Sequence, residues 1–343
     1  MLYQGCSNGF LCDTKGNKMI DQYGRTINYM RISVTDRCNL RCTYCMPEDG
    51  ITSVGHQDIL TFDEITKIVQ CGVKNGITKI KLTGGEPLVR KNLAELVRKI
   101  HQIKGIEEIT LTTNGILLKE QMEELVQAGI QAINISLDTL CPAHYQTITR
   151  RDELARVLEG IEAALLYKQM KVKINCVLLK DTTEEEFCEL AALAKNRPVS
   201  VRFIEPMPIG FGKTTAGFTQ EDILEILRRE FGKEEMLKNR LGNGPAVYVR
   251  FSKFCGEIGF ISAMSHKFCN QCNRVRLTAE GFLKPCLQYA GGVDLKELLR
   301  KGASLEEITE VMKREIYQKP ISHQFEQTDR QGFEQKTMSE IGG

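Results

Sequence analysis

Between residues 30 and 204, short apolar runs alternate six times with longer stretches of helical periodicity, and that alternation leaves few folds open. The runs are 30–35, 79–83, 109–113, 132–137, 172–179 and 199–204. A capping box, Thr61-Phe62-Asp63-Glu64, announces the first helix, and Ile65, Ile68, Val69 and Val73 follow at the spacing of one buried face. Further helical patterns cover 93–100, 119–128, 153–168 and 183–195. Strands separated by helices need crossover connections, so they pair in parallel, and the crossovers are right-handed. Six units are too few to close an eight-stranded barrel. The predicted fold is α/β, a curved, partial (βα)6, TIM-like barrel. Ligands of such sheets gather at the carboxyl ends of the strands.

The chain has 343 residues, 42% of them hydrophobic, enough for one large core and an appendage. A break at Pro208-Ile209-Gly210-Phe211-Gly212 precedes an amphipathic pattern at 221–231. The expected division is an N-terminal extension (1–24), the barrel (25–212), a C-terminal domain (213–330) and a flexible tail (331–343). With 46 basic and 44 acidic residues, nothing favours nucleic acid or an anionic membrane as partner. No apolar run approaches a bilayer span, and the first 23 residues lack the pattern of a secretory signal, so a soluble, cytoplasmic protein is expected.

Thirteen cysteines are many for a chain whose thiols are expected to stay reduced, and six of them form two clusters. Cys38, Cys42 and Cys45 follow the first apolar run in a C-x3-C-x2-C spacing. A cubane [4Fe–4S] cluster has four irons, so three cysteines leave one iron open to bind and activate a small molecule. A structural zinc loop is the alternative, although zinc sites usually present paired C-x-x-C knuckles. The second trio is Cys269, Cys272 and Cys286. Strand alternation at 274–276 puts Arg274 and Arg276 on one face, where guanidinium groups can grip phosphate or carboxylate; a solvated strand face is the other reading. This trio takes a fourth ligand from elsewhere, with His266 near, or leaves an iron free, or forms a zinc knuckle. The other seven cysteines, Cys6, Cys12, Cys71, Cys141, Cys176, Cys188 and Cys255, read as structural or incidental.

At the other strand ends stand Thr83-Gly84-Gly85-Glu86-Pro87, Thr112-Thr113-Asn114-Gly115 and Ser136-Leu137-Asp138. Consecutive glycines let backbone approach a ligand closely, and the remaining residues suit turns and helix caps as well as ligands. The cysteine loop, with Tyr44 before its third cysteine, and the GGEP motif resemble the radical S-adenosylmethionine (SAM) enzymes. Together with the F-C-x2-C-x-R-x-R segment, a third cysteine thirteen residues on, and the ending Ile341-Gly342-Gly343, they resemble the GTP 3′,8-cyclase family of molybdenum cofactor biosynthesis. The similarity runs from about Gly24 to the last residue.

That resemblance implies two [4Fe–4S] clusters, with Cys38, Cys42 and Cys45 holding one that chelates SAM and Cys269, Cys272 and Cys286 holding one that meets the guanine of GTP. It implies SAM contacts at Tyr44, Gly85, Ser136 and Met207, and GTP contacts at Arg31, Lys81, Thr112, Lys173, Arg274, Val275 and Arg276. Arg274, Arg276 and the tail residues Gly342 and Gly343 take catalytic roles, and the C-terminal domain becomes the auxiliary-cluster and GTP-binding part. Where the family more often has arginine, this chain has Lys81. The implied partners are GTP, cyclic pyranopterin monophosphate synthase as the recipient of product, and an electron donor such as flavodoxin or ferredoxin, with the chain a monomer or homodimer. A radical SAM peptide maturase with an auxiliary cluster is the runner-up, although such enzymes usually carry more cysteines and lack the arginine pair. An electron carrier or zinc-stabilised binding module would need four-cysteine coordination, which neither trio supplies.

Overall fold

The computed structural model describes residues 18–51, 54–211, 217–237, 242–327 and 332–342. Six parallel strands lie side by side in chain order: β1 (Tyr29–Ser33), β2 (Lys79–Thr83), β3 (Glu108–Thr113), β4 (Ala132–Ser136), β5 (Lys171–Val177) and β6 (Val199–Ile204). The helices between them are α1 (Phe62–Lys74), α2 (Leu93–His101), α3 (Leu118–Ala128), α4 (Pro142–Thr149), α5 (Leu154–Leu165) and α6 (Glu184–Asn196). The capping box forms as expected: the Glu64 N–H donates to the Thr61 hydroxyl at 3.1 Å, and the Thr61 N–H donates to the Glu64 carboxylate at 2.7 Å.

Alternation along each strand divides the sheet into two unlike faces. Met30 and Ile32, Ile80 and Leu82, Ile109 and Leu111, and Ile133 and Ile135 are fully buried in the core shared with the helices. Each such side chain contributes about 1.5–3 kcal/mol on burial. The opposite face carries Arg31, Lys81, Thr110, Thr112, Asn134, Lys173, Asn175 and Arg202, and it walls a cavity of about 390 Å³. A closed barrel fills its interior with branched apolar side chains. Here the inner face is polar and the sheet stays open, which leaves room for ligands.

The chain after β6 extends this sheet at both edges. Helix α7 (Gln220–Phe231) leads to β7 (Glu234–Met236), β8 (Val247–Phe251) and β9 (Glu257–Ile261); β9 pairs in parallel with β6, and β8 and β7 follow antiparallel. Strand β10 (Arg274–Leu277) pairs in parallel with β1, and β11 (Phe282–Lys284) and β12 (Val293–Asp294) continue antiparallel. Among the described strands the order is β12-β11-β10-β1-β2-β3-β4-β5-β6-β9-β8-β7. Helices α8 (Leu295–Arg300) and α9 (Leu305–Tyr317) follow, and α9 docks on α1, where the Asn75 amide donates to the Thr309 carbonyl at 2.9 Å. A last turn, α10 (Met338–Ile341), comes back to the cavity. No helix among the described residues is long and apolar enough to cross a membrane.

Candidate active site

The first cysteine loop leaves β1 at the carboxyl end of the sheet. Its backbone is tied to the end of α4: Arg41 and Thr43 donate their N–H groups to the carbonyls of Thr149 and Ile148 at 3.0 and 2.9 Å. The Arg150 guanidinium closes the back of the loop by donating to the carbonyls of Arg41 and Met46. Cys38, Cys42 and Cys45 all line the cavity, and the Leu40 N–H donates to the Cys38 sulfur at 3.4 Å. Burial pushes these thiols up, Cys38 to about 11, Cys45 to about 12 and Cys42 well above its usual range. Bare thiolates are therefore disfavoured here, and a positively charged iron centre would supply the missing compensation. The three cysteines border one cavity and are the residues that would hold such a centre, although among the described residues no three such side chains are gathered as a metal-ion site.

The glycines of the GGEP segment are required by how closely it approaches that loop. A Cβ on Gly84 would stand 2.5 Å from the Thr35 carbonyl oxygen, and one on Gly85 would stand 2.4 Å from that of Arg37. Glu86 is fully enclosed and accepts from the Leu88 N–H (2.9 Å), the Thr113 hydroxyl (2.7 Å) and the Asn114 N–H (2.6 Å). Burial outweighs these bonds and raises its carboxyl to about 7. Tyr44 donates to Asp138 at 2.7 Å, and Asp138 also accepts from the Val177 N–H at 2.8 Å. Gly85, Tyr44, Ser136 and Met207, from four separate segments, all border the cavity.

The second trio reaches the same cavity from the start of β10, the strand beside β1. Cys269 opens a short 3-10 turn, Cys272 precedes β10, and the β10–β11 pairing, with Arg276 opposite Lys284, returns the chain to place Cys286 beside the start of β10. Burial pushes the Cys272 thiol up, but the Lys319 ammonium and the Arg274 guanidinium outweigh it and bring it down to about 6. A thiolate poised in this way suits iron ligation. His266, the histidine nearest in sequence, is turned to Ser265 and to Glu221 at the outer surface. His323 is the histidine beside the trio: its N–H donates to the Cys269 sulfur at 3.5 Å, and its Nε2 bonds the Ala263 carbonyl at 2.9 Å.

Between the trios lies a layer of cations built by strand register. Arg276 on β10 stands beside Arg31 on β1, Arg31 beside Lys81 on β2, and Lys81 beside Thr110 on β3. Asn134 stands beside Lys173, and Asn175 beside Arg202, whose guanidinium donates to the Asn175 oxygen at 2.8 and 2.5 Å. Burial, then Arg202, Arg31 and Lys173, hold Lys81 well below its usual range. Burial and Arg202 bring Lys173 down to about 8, and burial with Arg31 and Arg274 lowers Arg276. Of the acids on the same wall, Glu86 and Asp138 are bonded as described and Glu205 by Ser265 and the Met264 N–H, while Glu108 accepts from Asn243 and its charge also supports the charged forms of Lys173 and Lys81. These cations line the cavity, and a polyanion is the ligand whose charge suits them.

Of the residues singled out from sequence, Cys38, Cys42, Cys45, Tyr44, Gly85, Ser136, Met207, Arg31, Lys81, Thr112, Lys173, Arg274, Arg276, Cys269, Cys272 and Cys286 meet around this one cavity. Val275 does not face it, because alternation on β10 turns its side chain into the hydrophobic core. Gly342 sits beside the cavity wall, where its carbonyl accepts from Arg276 Nη1 at 2.9 Å. Gly343 lies outside the described residues. Arg202, Asn134, Asn175, Lys319 and His323 also line the cavity and belong to none of the sequence motifs. For Arg202, Asn134 and Asn175 the available signal was polar residues at alternate positions of otherwise apolar strands; Lys319 and His323 had none. The most remote omission is Asp21 and Arg25, a buried pair joined at 2.6 Å.

Comparison with known proteins bears on this arrangement. The family model described as Radical SAM superfamily matches residues 32–194, and the one described as Molybdenum Cofactor Synthesis C matches residues 199–325. In fold the chain is similar to Streptococcus suis SuiB bound to S-adenosylmethionine, with a TM-score of 0.58 and 17% identity over 80% of this chain and 65% of that one. The Radical SAM match makes an iron–sulfur cluster and SAM its cofactors. Over 325 residues it is 46% identical to GTP 3′,8-cyclase of Clostridium perfringens (strain SM101 / Type A), covering 95% of this chain and all of that protein. The GTP 3′,8-cyclase of Pelotomaculum thermopropionicum is 45% identical over 328 residues at the same coverages. Carrying both family regions and aligned along the full length of these relatives, the chain belongs to the GTP 3′,8-cyclase family of the radical SAM superfamily.

Proposed function

We propose that the protein converts GTP to 3′,8-cyclo-7,8-dihydro-GTP in the first step of molybdenum cofactor (molybdopterin) biosynthesis. The observation that carries this reading is the cationic layer of Arg31, Lys81, Lys173, Arg202, Arg274 and Arg276, which lies between two cysteine trios in one cavity. A triphosphate brings several negative charges, and these cations line the cavity that would receive it.

In this reading residues 25–212 form the radical SAM unit, 213–330 the auxiliary-cluster and GTP-binding unit, 331–343 the tail and 1–24 an extension. Cys38, Cys42 and Cys45 hold the first [4Fe–4S] cluster, and Tyr44, Gly85, Ser136 and Met207 seat SAM against it. When bound, the cluster and SAM supply a 5′-deoxyadenosyl radical, with methionine as the other fragment. Cys269, Cys272 and Cys286 hold a second [4Fe–4S] cluster beside the guanine. Arg31, Lys81, Lys173 and the β10 arginines grip the triphosphate, and Thr112 and the Val275 backbone complete its contacts. These residues orient the ribose so that C3′, once it has lost its hydrogen, lies against guanine C8, and they exclude water that would quench it. Gly342 meets Arg276 through its carbonyl, and the catalytic role extends to Gly343. Product passes to cyclic pyranopterin monophosphate synthase, a flavodoxin or ferredoxin supplies two electrons, one to cleave SAM and one, taken up with a proton, to reduce the cyclised nucleotide, and the protein works as a monomer or homodimer in the cytoplasm.

The test is anaerobic reconstitution with iron and sulfide, followed by addition of SAM, reductant and GTP. Formation of 5′-deoxyadenosine that depends on GTP, with a cyclised nucleotide seen by mass spectrometry, is expected. Formation of 5′-deoxyadenosine that is indifferent to GTP would sink the proposal.

A further inference from the structure

The turn at residues 21–25 lies far from the cavity in sequence, yet it reaches the back of the second trio. Asp21 and Arg25 are both buried, and the Arg25 Nε donates to the Asp21 carboxylate at 2.6 Å. That carboxylate also accepts the N–H groups of Tyr23 and Arg25 at 3.0 and 2.9 Å, which sets the turn and aims the guanidinium. The other four N–H groups of the guanidinium all donate to carbonyls. Nη1 reaches Cys269 (2.9 Å) and Ile321 (2.9 Å), and Nη2 reaches Pro320 (2.7 Å) and Lys319 (3.3 Å). Arginine has five donors in a fixed fork, and here every one is used.

The segment clamped in this way touches the flank of each cysteine. Lys319 Nζ donates to the carbonyl of Arg274, two residues after Cys272, at 2.9 Å, and to that of Pro285, the residue before Cys286. The His323 N–H donates to the sulfur of Cys269. Arg25 therefore holds Cys269 directly and reaches the surroundings of Cys272 and Cys286 through residues 319–323. None of these contacts involves the first trio.

We propose that the Asp21–Arg25 pair is the positioning device of the second cysteine trio, required for those thiols to assemble their cluster but not for the first cluster or SAM. The inference rests on the reading of Cys269, Cys272 and Cys286 as cluster ligands. Lysine cannot replace Arg25, because its three donors cannot satisfy one carboxylate and four carbonyls.

The full-length protein and its Arg25→Gln, Arg25→Lys and Asp21→Asn variants would be reconstituted anaerobically, then assayed for iron, sulfide and the electron paramagnetic resonance of the reduced form. The unaltered protein should hold about eight irons. Both Arg25 variants should hold about four, with the signal still perturbed by SAM and no longer by GTP. Asp21→Asn should fall between. Arg25 variants that keep both clusters and the response to GTP would overturn the proposal, and so would variants that lose both clusters together. A second arm uses the metal-free protein: alkylation of Cys269, Cys272 and Cys286, read by mass spectrometry, should be about tenfold faster in Arg25→Lys while that of Cys38, Cys42 and Cys45 is unchanged. Equal rates at the second trio would overturn the positioning role on their own. About four irons in the unaltered protein, with the alkylation difference intact, would instead overturn the second-cluster reading and leave Arg25 as the organiser of these thiols.

Discussion

At the scale of single residues, the site is governed by charges placed where water cannot compensate them. Lys173 is the most measurable case, because burial and Arg202 bring it to about 8 from an ordinary 10.5. Between those two values the unfolded chain binds more protons than the native one, so this residue makes stability rise with pH across that window. Binding of a triphosphate runs the other way, since the ammonium that attracts it is lost above about pH 8. Lys173→Met should weaken GTP binding at neutral pH by roughly 10–100-fold, the effect of one charge-assisted contact. The difference from the unaltered protein should shrink as pH rises past 8. Calorimetric titration of GTP under anaerobic conditions checks both, and a gap independent of pH would show that Lys173 does not carry its charge to the ligand. Lys173 itself was legible in the sequence as a lysine inside an apolar run. Its altered proton affinity was not, because Arg202 arrives from the next strand.

At the scale of elements, period-two alternation explains which predicted residues meet the cavity. On β10 it turns Arg274 and Arg276 inward and Val275 into the core, a split the alternating pattern at 274–276 contains. The six central strands lie within two residues of their predicted bounds, because apolar runs flanked by turn residues are a strong signal. Helix α4 was missed: it is short, opens on Pro142 and has only a weakly apolar face. The placement of the final turn is exacting. Gly342 adopts φ +77°, and a Cβ there would stand 2.6 Å from Ser33 Cβ. Gly342→Ala should therefore unseat the chain end from Arg276, costing about 1–2 kcal/mol locally and lowering turnover about tenfold while both clusters stay loaded. Adding Ser33→Gly should restore only the part due to collision. Turnover together with iron content decides this, and a fully active Gly342→Ala protein would remove the tail from the mechanism.

At the scale of the whole molecule, one sheet runs through both parts of the chain. Strand β10 covers the outer edge of β1, and β9 covers that of β6. A fragment ending at residue 212 would bare two unpaired parallel edges, so it should aggregate on expression, whereas the full chain should unfold in one cooperative step. A soluble fragment with cooperative thermal unfolding would show that the edges need no cover. The sequence by itself determined the α/β class, the order of the six parallel strands and both sulfur trios, because each rests on local periodicity or on spacing within a short loop. Only the tertiary structure decided that β10 lies beside β1. That pairing puts Arg276 next to Arg31, brings Cys269 and Cys38 to one cavity, and carries the turn at Asp21–Arg25 to the second trio. The physical reason is that register between distant segments is set by the packing of whole faces, and no short stretch of sequence records its eventual neighbour.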